Sequence, residues 1–390
     1  MSAGSKRKTI LDLPLKLILT EEGVNFFIKN QKKLNRFKMA DDVEEYGIYL
    51  DKFSPASVQR MILIDYISKI ELSRPEFMSK RQEIMDLSKL ITYSVLYGQM
   101  DIIVFDKVIH SNLIKRWNRL NPGNIIDEQT NINQSYLEKV LTKNQKLVYE
   151  VKQEILAPIF MGIKQNESLL PEEKNIQLFL AEKFLNTLRP FNWFILSRFK
   201  DTQDYYSLLD DIRDVLRDFM EKSKIAEYLA LMIMELAINA ENTNMQNFAE
   251  RMYQGTIDSM AVLYDSNIRE KILADMRKRN EKVFISWKLG GKSGSIGTRG
   301  RLMLSVYNKE AEYEGLKQSI NDKKGSDANK KSLMDYYKEE SSDPSANTEL
   351  GLYYLTYLSE ACDKVNVRFE SLVNQISVSD LTVITLSLHF

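Results

Sequence analysis

The sequence has very few of the residues that build disulfide frameworks, metal centres and acid–base relays. It contains one cysteine, Cys362, and two histidines, His110 and His389. A single cysteine excludes an intramolecular disulfide and argues against a cysteine-based zinc site. With two histidines, no Ser-His-Asp or Cys-His catalytic arrangement can be assembled from the sequence pattern.

A charge excess and long apolar runs are also missing. The 54 basic and 54 acidic residues cancel, which argues against a dedicated nucleic-acid binder, because such proteins carry a basic excess or patch. No run of uninterrupted apolar residues approaches roughly 18, the length a membrane-spanning helix needs. The apolar run near the N-terminus is broken by Asp12, Pro14 and Lys16 and makes a poor secretion signal. We therefore expect a cytoplasmic protein without a membrane span.

The length and composition indicate a two-domain globular protein of 390 residues, 44% hydrophobic and 28% charged. Over residues 20–165, apolar residues recur at spacings of three and four, with lysines and glutamates between them, as in amphipathic helices. A polar stretch around Pro171 ends this pattern. We predict an all-α helical domain over residues 1–170 and a second domain over residues 171–390. The helical domain is also one place where a homodimer contact could form.

The second domain begins with further helical patterns. Residues 173–189 and 204–222 carry helical spacing, and the stretch FNWFILSRF between them fits either a strand or a buried helix end. A longer helix follows over residues 225–242, and its apolar residues form one continuous stripe.

The pattern then changes from helical to extended. Residues 282–289 and 301–308 alternate apolar and polar side chains, which predicts a β-hairpin joined by a glycine-rich loop. Residues 309–347 are strongly polar and form a predicted lid. A helix from about Leu350 and a β-branched closing strand over residues 381–390 complete the domain.

Two polar residues stand out within the apolar helix. Glu235 and Asn239 lie four residues apart in the stretch MELAINAENTN, and helical geometry places both at the rim of the core. Carboxylate and amide oxygens suit a hydrated magnesium site. The residues alone leave an alternative open, in which the pair is the polar edge of a core helix and Glu235 contacts a lysine.

The segment from Glu235 to Ala240 resembles the N box of the GHKL ATPases, which has the form E-x-x-x-N-A. This superfamily includes histidine kinases and anti-sigma-factor kinases. The hairpin that follows resembles the strand pair leading to the family's first glycine box, and NTELGL at residues 347–352 looks like its second glycine box. The resemblance covers roughly residues 175–390. It implies an α+β chain whose second domain is a Bergerat two-layer α/β sandwich with a mixed sheet.

The resemblance also implies a cofactor and its ligands. ATP or ADP with Mg²⁺ is the implied cofactor; Asn239 would ligate the metal, and Glu235 would be catalytic by activating water. Asn308 is the nearest substitute for the aspartate with which the first glycine box binds adenine. Other residues implied in nucleotide binding are Asn242, Thr348, Leu350 and Gly351.

Two departures from the family pattern point to a degenerate site. The strand around Asn308 has neither the aspartate nor the glycines of the first glycine box. Glu349 replaces a glycine and puts negative charge where polyphosphate would lie, which should weaken nucleotide binding. Fast ATP hydrolysis is therefore not expected.

These observations lead to two hypotheses about function. The first is a cytoplasmic signalling or regulatory protein whose degenerate ATP-binding domain modulates binding to a protein partner, with kinase activity on that partner as its enzymatic variant. The second is an α-rich scaffold or assembly protein that binds no nucleotide. The pair Glu235 and Asn239 favours the first, whereas Glu349 favours the second.

Overall fold

The chain folds into two compact units in a computed structural model. Unit 1 combines Met1–Val95 with Lys224–Phe390, and unit 2 is Leu96–Ser223. The residues that the structure describes are 10–130, 132–200, 202–290, 300–308, 347–376 and 381–390, without the side chains of 347–354, 356 and 376.

Unit 1 is built on one eight-stranded sheet. Its strands are β1 Leu15–Leu19, β2 Asn35–Lys38, β3 Glu44–Leu50, β4 Ile67–Arg74, β5 Val283–Leu289, β6 Arg301–Asn308, β7 Arg368–Ile376 and β8 Leu381–His389. The order across the sheet is β2-β3-β1-β4-β5-β6-β8-β7. Every one of these neighbouring pairs is antiparallel.

Thirteen α-helices occur among the described residues, and a 3₁₀ turn at Met78–Lys80 precedes the third. They are α1 Glu21–Lys29, α2 Pro55–Leu63, α3 Arg81–Ile109, α4 Asn112–Leu120, α5 Gln134–Lys143, α6 Gln145–Gln165, α7 Pro171–Thr187, α8 Pro190–Arg198, α9 Tyr205–Ser223, α10 Ile225–Tyr253, α11 Ala261–Tyr264, α12 Ser266–Lys278 and α13 Asn347–Lys364.

Local chemistry explains where several helices begin. Thr20, Ser54, Ser111 and Asp265 each precede a helix, and their side-chain oxygens accept hydrogen bonds from backbone N–H groups of the first turn. Such caps satisfy donors that have no partner within the helix. Proline at the first position, as at Pro190, suits the fixed backbone angle of that site.

One face of the sheet carries the core of unit 1. Alternation along the strands sets Leu17 opposite Ile70, Ile70 opposite Trp287, Trp287 opposite Leu304, and Leu304 opposite Leu386. All five side chains are fully buried, and burying each contributes about 1.5–3 kcal/mol. Helix α10 packs on β5, β6 and α13, so these two helices and the central strands share one core.

The described part of unit 2 consists of helices and the loops that join them, without strands. Its core includes an aromatic cluster in which the rings of Phe184 and Tyr97 both lie 5.0 Å from that of Phe219. The largely buried Asp101 binds Arg189, with 2.8 Å between Oδ2 and Nη2. Asp101 also accepts a hydrogen bond of 2.8 Å from the backbone N–H of Arg189.

The structure confirms the predicted α+β class, the β5–β6 hairpin and the closing strand β8, and it makes FNWFILSRF a helix, α8. The prediction of an all-α domain over residues 1–170 is wrong for residues 15–74, which hold four strands. Strand β1 has only five residues, and the apolar residues of β4, Ile67, Ile70 and Leu72, do not alternate regularly, so periodicity alone does not separate these strands from helix. The sheet is antiparallel rather than mixed.

The division of the chain also differs from a single boundary near residue 170, a position that lies inside unit 2. Unit 2 interrupts unit 1, because the strands before residue 95 pair with a strand after residue 280. Residues 309–346 of the predicted lid lie outside the described residues. The glycine-rich loop at 291–299 lies outside them as well.

Candidate functional site

Glu235 lies in the middle of α10, at the rim of the core where its spacing predicts it. Its Oε1 is 3.0 Å from Nη2 of Arg81, the first residue of α3. The Glu235 side chain is 13% exposed and that of Arg81 41%. Burial raises the pKa of Glu235, and the nearby guanidinium of Arg81 opposes this shift. The partner of Glu235 is thus an arginine from the N-terminal part of unit 1.

Asn239 lies one turn further along α10 and is half-buried. Among the residues that the structure describes, none forms a hydrogen bond with its side chain. The side chain is only partly covered, so the donors and the acceptor of the Asn239 amide are available to a ligand.

A second carboxylate of α10 is completely enclosed. Glu241 accepts hydrogen bonds from the backbone N–H groups of Phe77, at 2.6 Å, and Met78, at 3.2 Å, and it forms an ion pair with Arg269 of α12. Burial raises the pKa of Glu241, although these donors favour the charged form. Arg269 also donates from Nη1 to Oδ1 of Asn242 at 3.1 Å. The side-chain oxygen of Asn242, a residue that the resemblance implies in nucleotide binding, therefore already has a partner within the protein.

Asn308 ends strand β6 on the core face of the sheet, in register with Thr382 of β8. The two residues are 3% and 1% exposed. The hydroxyl oxygen of Thr382 has no hydrogen-bond partner in the described part of the chain. A buried hydroxyl without a partner is costly, which makes this end of the core face a candidate place for a polar ligand group.

The segment at 347–352 that resembles the second glycine box lies at the start of α13. The helix begins at Asn347, three residues before its predicted start, so Thr348, Leu350 and Gly351 all belong to its first two turns. Their side chains lie outside the described part of the structure, as does that of Glu349.

Four residues of this region were not predicted from the sequence: Arg81, Glu241, Arg269 and Thr382. Arg81 is 154 positions from Glu235, and Arg269 is 28 positions from Glu241, so no local spacing announces either ion pair. The β-branched residues of β8 predicted a strand but did not distinguish Thr382 from its neighbours.

The architecture is that of an α+β protein in which polar groups border a helix-covered antiparallel sheet. Residues 6–390 match the family described as "Family of unknown function (DUF8084)", and the chain belongs to this family. It is 44% identical over 391 residues to an "Uncharacterized protein" of Treponema pallidum (strain Nichols), and the alignment covers 100% of both chains. No solved structure matches the chain significantly. Over the described ranges, no helix combines the length and the apolar character that crossing a bilayer requires.

Proposed function

We propose that unit 1 is a degenerate GHKL-type nucleotide-binding domain in a signalling or regulatory protein. In this proposal, ATP or ADP with Mg²⁺ modulates the binding of a protein partner. The observation that carries it is the open, half-buried amide of Asn239 on a helix that packs over β5 and β6.

The order of elements supports the proposal. Helix α10, with the N-box-like residues, precedes the β5–β6 hairpin, and α13, with the residues like the second glycine box, follows it. Strand β8 then inserts between β6 and β7, and α10 and α13 pack against each other. The segments on which the resemblance rests therefore belong to one compact part of unit 1.

The donor set suits the proposed ligand. The amide oxygen of Asn239 is a hard ligand appropriate to Mg²⁺, and Glu235 can hold a metal-bound water through its carboxylate. The buried polar pair of Asn308 and Thr382 offers an amide and a hydroxyl to a nucleobase, although without the charge of an aspartate. The bound metal would supply charge neutralisation for the phosphates.

The ion pair of Glu235 supports slow chemistry rather than efficient catalysis. A general base must reach the proton that it accepts, and the Glu235 carboxylate is already engaged by Arg81 at 3.0 Å. Transfer of phosphate to a partner protein, the enzymatic variant of this proposal, requires that Glu235 first leave this pair.

Thermal stabilisation by nucleotide tests the proposal. At millimolar Mg-ATP or Mg-ADP, about ten times a dissociation constant near 0.1 mM, unfolding should become about 1.4 kcal/mol harder. For a chain of this size, that is a rise in the melting temperature of roughly 2 °C. Asn239→Ala should abolish the rise, whereas Gln246→Ala, a change seven residues along the same helix, should preserve it.

Two results would count against the proposal. If neither nucleotide raises the melting temperature of the native protein, nucleotide modulation has to be abandoned. If the rise survives Asn239→Ala, nucleotide binds elsewhere and this site is misassigned.

A scaffold or assembly protein that binds no nucleotide is the second candidate. The observation that favours it is the engagement of both carboxylates in this part of α10, Glu235 by Arg81 and Glu241 by Arg269. Closed ion pairs of this kind can serve the fold alone. The absence of any nucleotide effect in the same experiment is the result that this candidate predicts.

A further inference from the structure

Unit 2 contains a cavity of about 540 Å³ between α4 and the segment that joins α8 to α9. This volume lies within the range of roughly 300–1,000 Å³ that is typical of small-molecule sites. Four apolar or aromatic side chains contribute to its wall: Leu113, Trp117, Leu120 and Phe199. The cavity lies wholly within unit 2 and does not depend on the nucleotide site proposed for unit 1.

The aromatic wall is fixed before any ligand arrives. The rings of Trp117 and Phe199 meet edge to face, with their centroids 5.4 Å apart and an interplanar angle of 71°. The indole N–H of Trp117 donates to the backbone oxygen of Asn124 at 3.0 Å, which sets the orientation of the ring. Phe199 and Leu113 are buried behind it. A preformed wall loses little conformational entropy on binding.

Arginine side chains line the same cavity. The guanidinium carbon of Arg198 lies 4.9 Å from the ring centroid of Trp117 and 5.9 Å from that of Phe199. No carboxylate of the described chain lies within ion-pair distance of Arg198. Stacking on an aromatic ring uses the face of a guanidinium and leaves its N–H edge free to bind an anion.

The second arginine of the cavity is only loosely held. Arg116 approaches Asp204 at 3.8 Å, between Nη1 and Oδ2, and the side-chain oxygen of Gln203 at 3.4 Å. Among the described residues that line the cavity, the charged groups are two guanidinium ions and one carboxylate. This described part of the lining therefore combines an aromatic wall with a net positive charge.

We infer that this cavity binds a planar aromatic anion. The ring of the ligand packs against Trp117 and Leu120, and its carboxylate or phosphate accepts hydrogen bonds from Arg198 and Arg116. Guanidinium pairs with both acid groups in the same forked geometry, so the two kinds of ligand share one chemistry. A neutral aromatic molecule of the same shape lacks the ion pair with the arginines.

Calorimetric titration of the full-length protein with three probes tests this inference. The probes are 2-naphthoate, 2-naphthyl phosphate and the neutral isostere 2-naphthamide. Both anions should bind with a Kd below about 1 mM, and the amide about tenfold more weakly, because it has no negative charge and only one acceptor oxygen for a guanidinium. The tighter of the two anions identifies the acid group, carboxylate or phosphate, that the site prefers.

Matched arginine substitutions locate the binding. Arg198→Gln should weaken the anions about tenfold and leave the affinity for 2-naphthamide nearly unchanged. Arg119→Gln is the control, since Arg119 is an exposed arginine that does not line the cavity and lies on α4, the helix of Arg116. Arg116→Gln provides a second, independent variant in case Arg198→Gln fails to fold.

Three outcomes would overturn the inference. The first is the absence of binding by either anion at millimolar concentration. The second is equal affinity for the anions and for 2-naphthamide. The third is a loss of affinity in Arg119→Gln as large as that in the cavity variants, which would indicate a general charge effect.

Discussion

Glu235 of α10 and Arg81 of α3 form an ion pair with 3.0 Å between Oε1 and Nη2. The pair joins the two chain segments that build unit 1, one of which precedes unit 2 in the sequence and the other of which follows it. It also occupies the carboxylate to which the family resemblance assigns water activation. A ligand that needs the Glu235 carboxylate must therefore compete with Arg81.

Removing the arginine should destabilise the protein. Arg81→Ala leaves the largely buried Glu235 without its cation, so we expect a loss of about 1–2 kcal/mol at pH 7, less than for a fully enclosed pair. Urea unfolding measures this change. Arg60→Ala, at an exposed position of α2, is the control and should stay within about 0.5 kcal/mol of the native protein. Equal effects of the two substitutions would show that the pair contributes nothing.

Replacing Glu235 itself should change how stability depends on pH. Burial raises the pKa of Glu235 in the folded state above the ordinary value of 4.5. The folded protein then binds this proton more tightly than the unfolded chain, so stability falls as pH rises from 4.5 through the raised pKa and is constant above it. Glu235→Gln should remove this fall. Urea unfolding at a series of pH values measures it, and parallel profiles of the two proteins would contradict the prediction.

The enclosed pair between Glu241 and Arg269 should contribute more than the pair at the rim. Glu241 is fully buried, so Arg269→Met leaves its charge with backbone donors only, and we expect a loss of about 3 kcal/mol. Arg277→Met, at an exposed position of the same helix α12, is the matched control. Chemical unfolding distinguishes them, and a loss no larger than that of Arg81→Ala would contradict the ranking.

Two glycines should respond to alanine in opposite directions. A Cβ at Gly47 would lie 2.1 Å from the backbone oxygen of Leu17, so Gly47→Ala should push β3 from β1 and cost about 2–3 kcal/mol. Gly98 lies within α3 with nothing near its Cβ position, so Gly98→Ala should stabilise by about 0.5–1 kcal/mol. Melting temperatures test both: an unchanged or raised value for Gly47→Ala would refute the close β1–β3 contact, and a lowered value for Gly98→Ala would refute the open space at that position.

The single cysteine should be unreactive in the native protein. Cys362 of α13 is completely buried, and burial raises the pKa of its thiol to about 12. Its reaction with a disulfide reagent at pH 8 should be more than about a hundredfold slower than in urea, because labelling requires local opening and a thiolate. Ser168→Cys, which adds an exposed thiol, is the positive control. Rapid labelling of two equivalents in that variant would show that the face of α13 that carries Cys362 is not packed against the core.

The parts of the fold that were predicted correctly are those in which a residue's neighbours in sequence determine its conformation. The β5–β6 hairpin has largely alternating side chains, strand β8 is rich in β-branched residues, and helix α10 has apolar residues at helical spacing. Strand β1, with five residues, is too short and too apolar to reveal a period. Its identity depends on β3 and β4, between which it pairs in the sheet.

The sequence by itself determined which side chains face the core, because the geometry of a helix or strand repeats locally. In this way the sequence placed Glu235 and Asn239, two residues of α10, at the rim of the core. Only the tertiary structure decided the partners: Arg81 for Glu235, Arg269 for Glu241, and none of the described residues for the Asn239 amide. Such contacts join segments far apart in the chain, so they follow from how the whole sheet assembles and not from any local pattern.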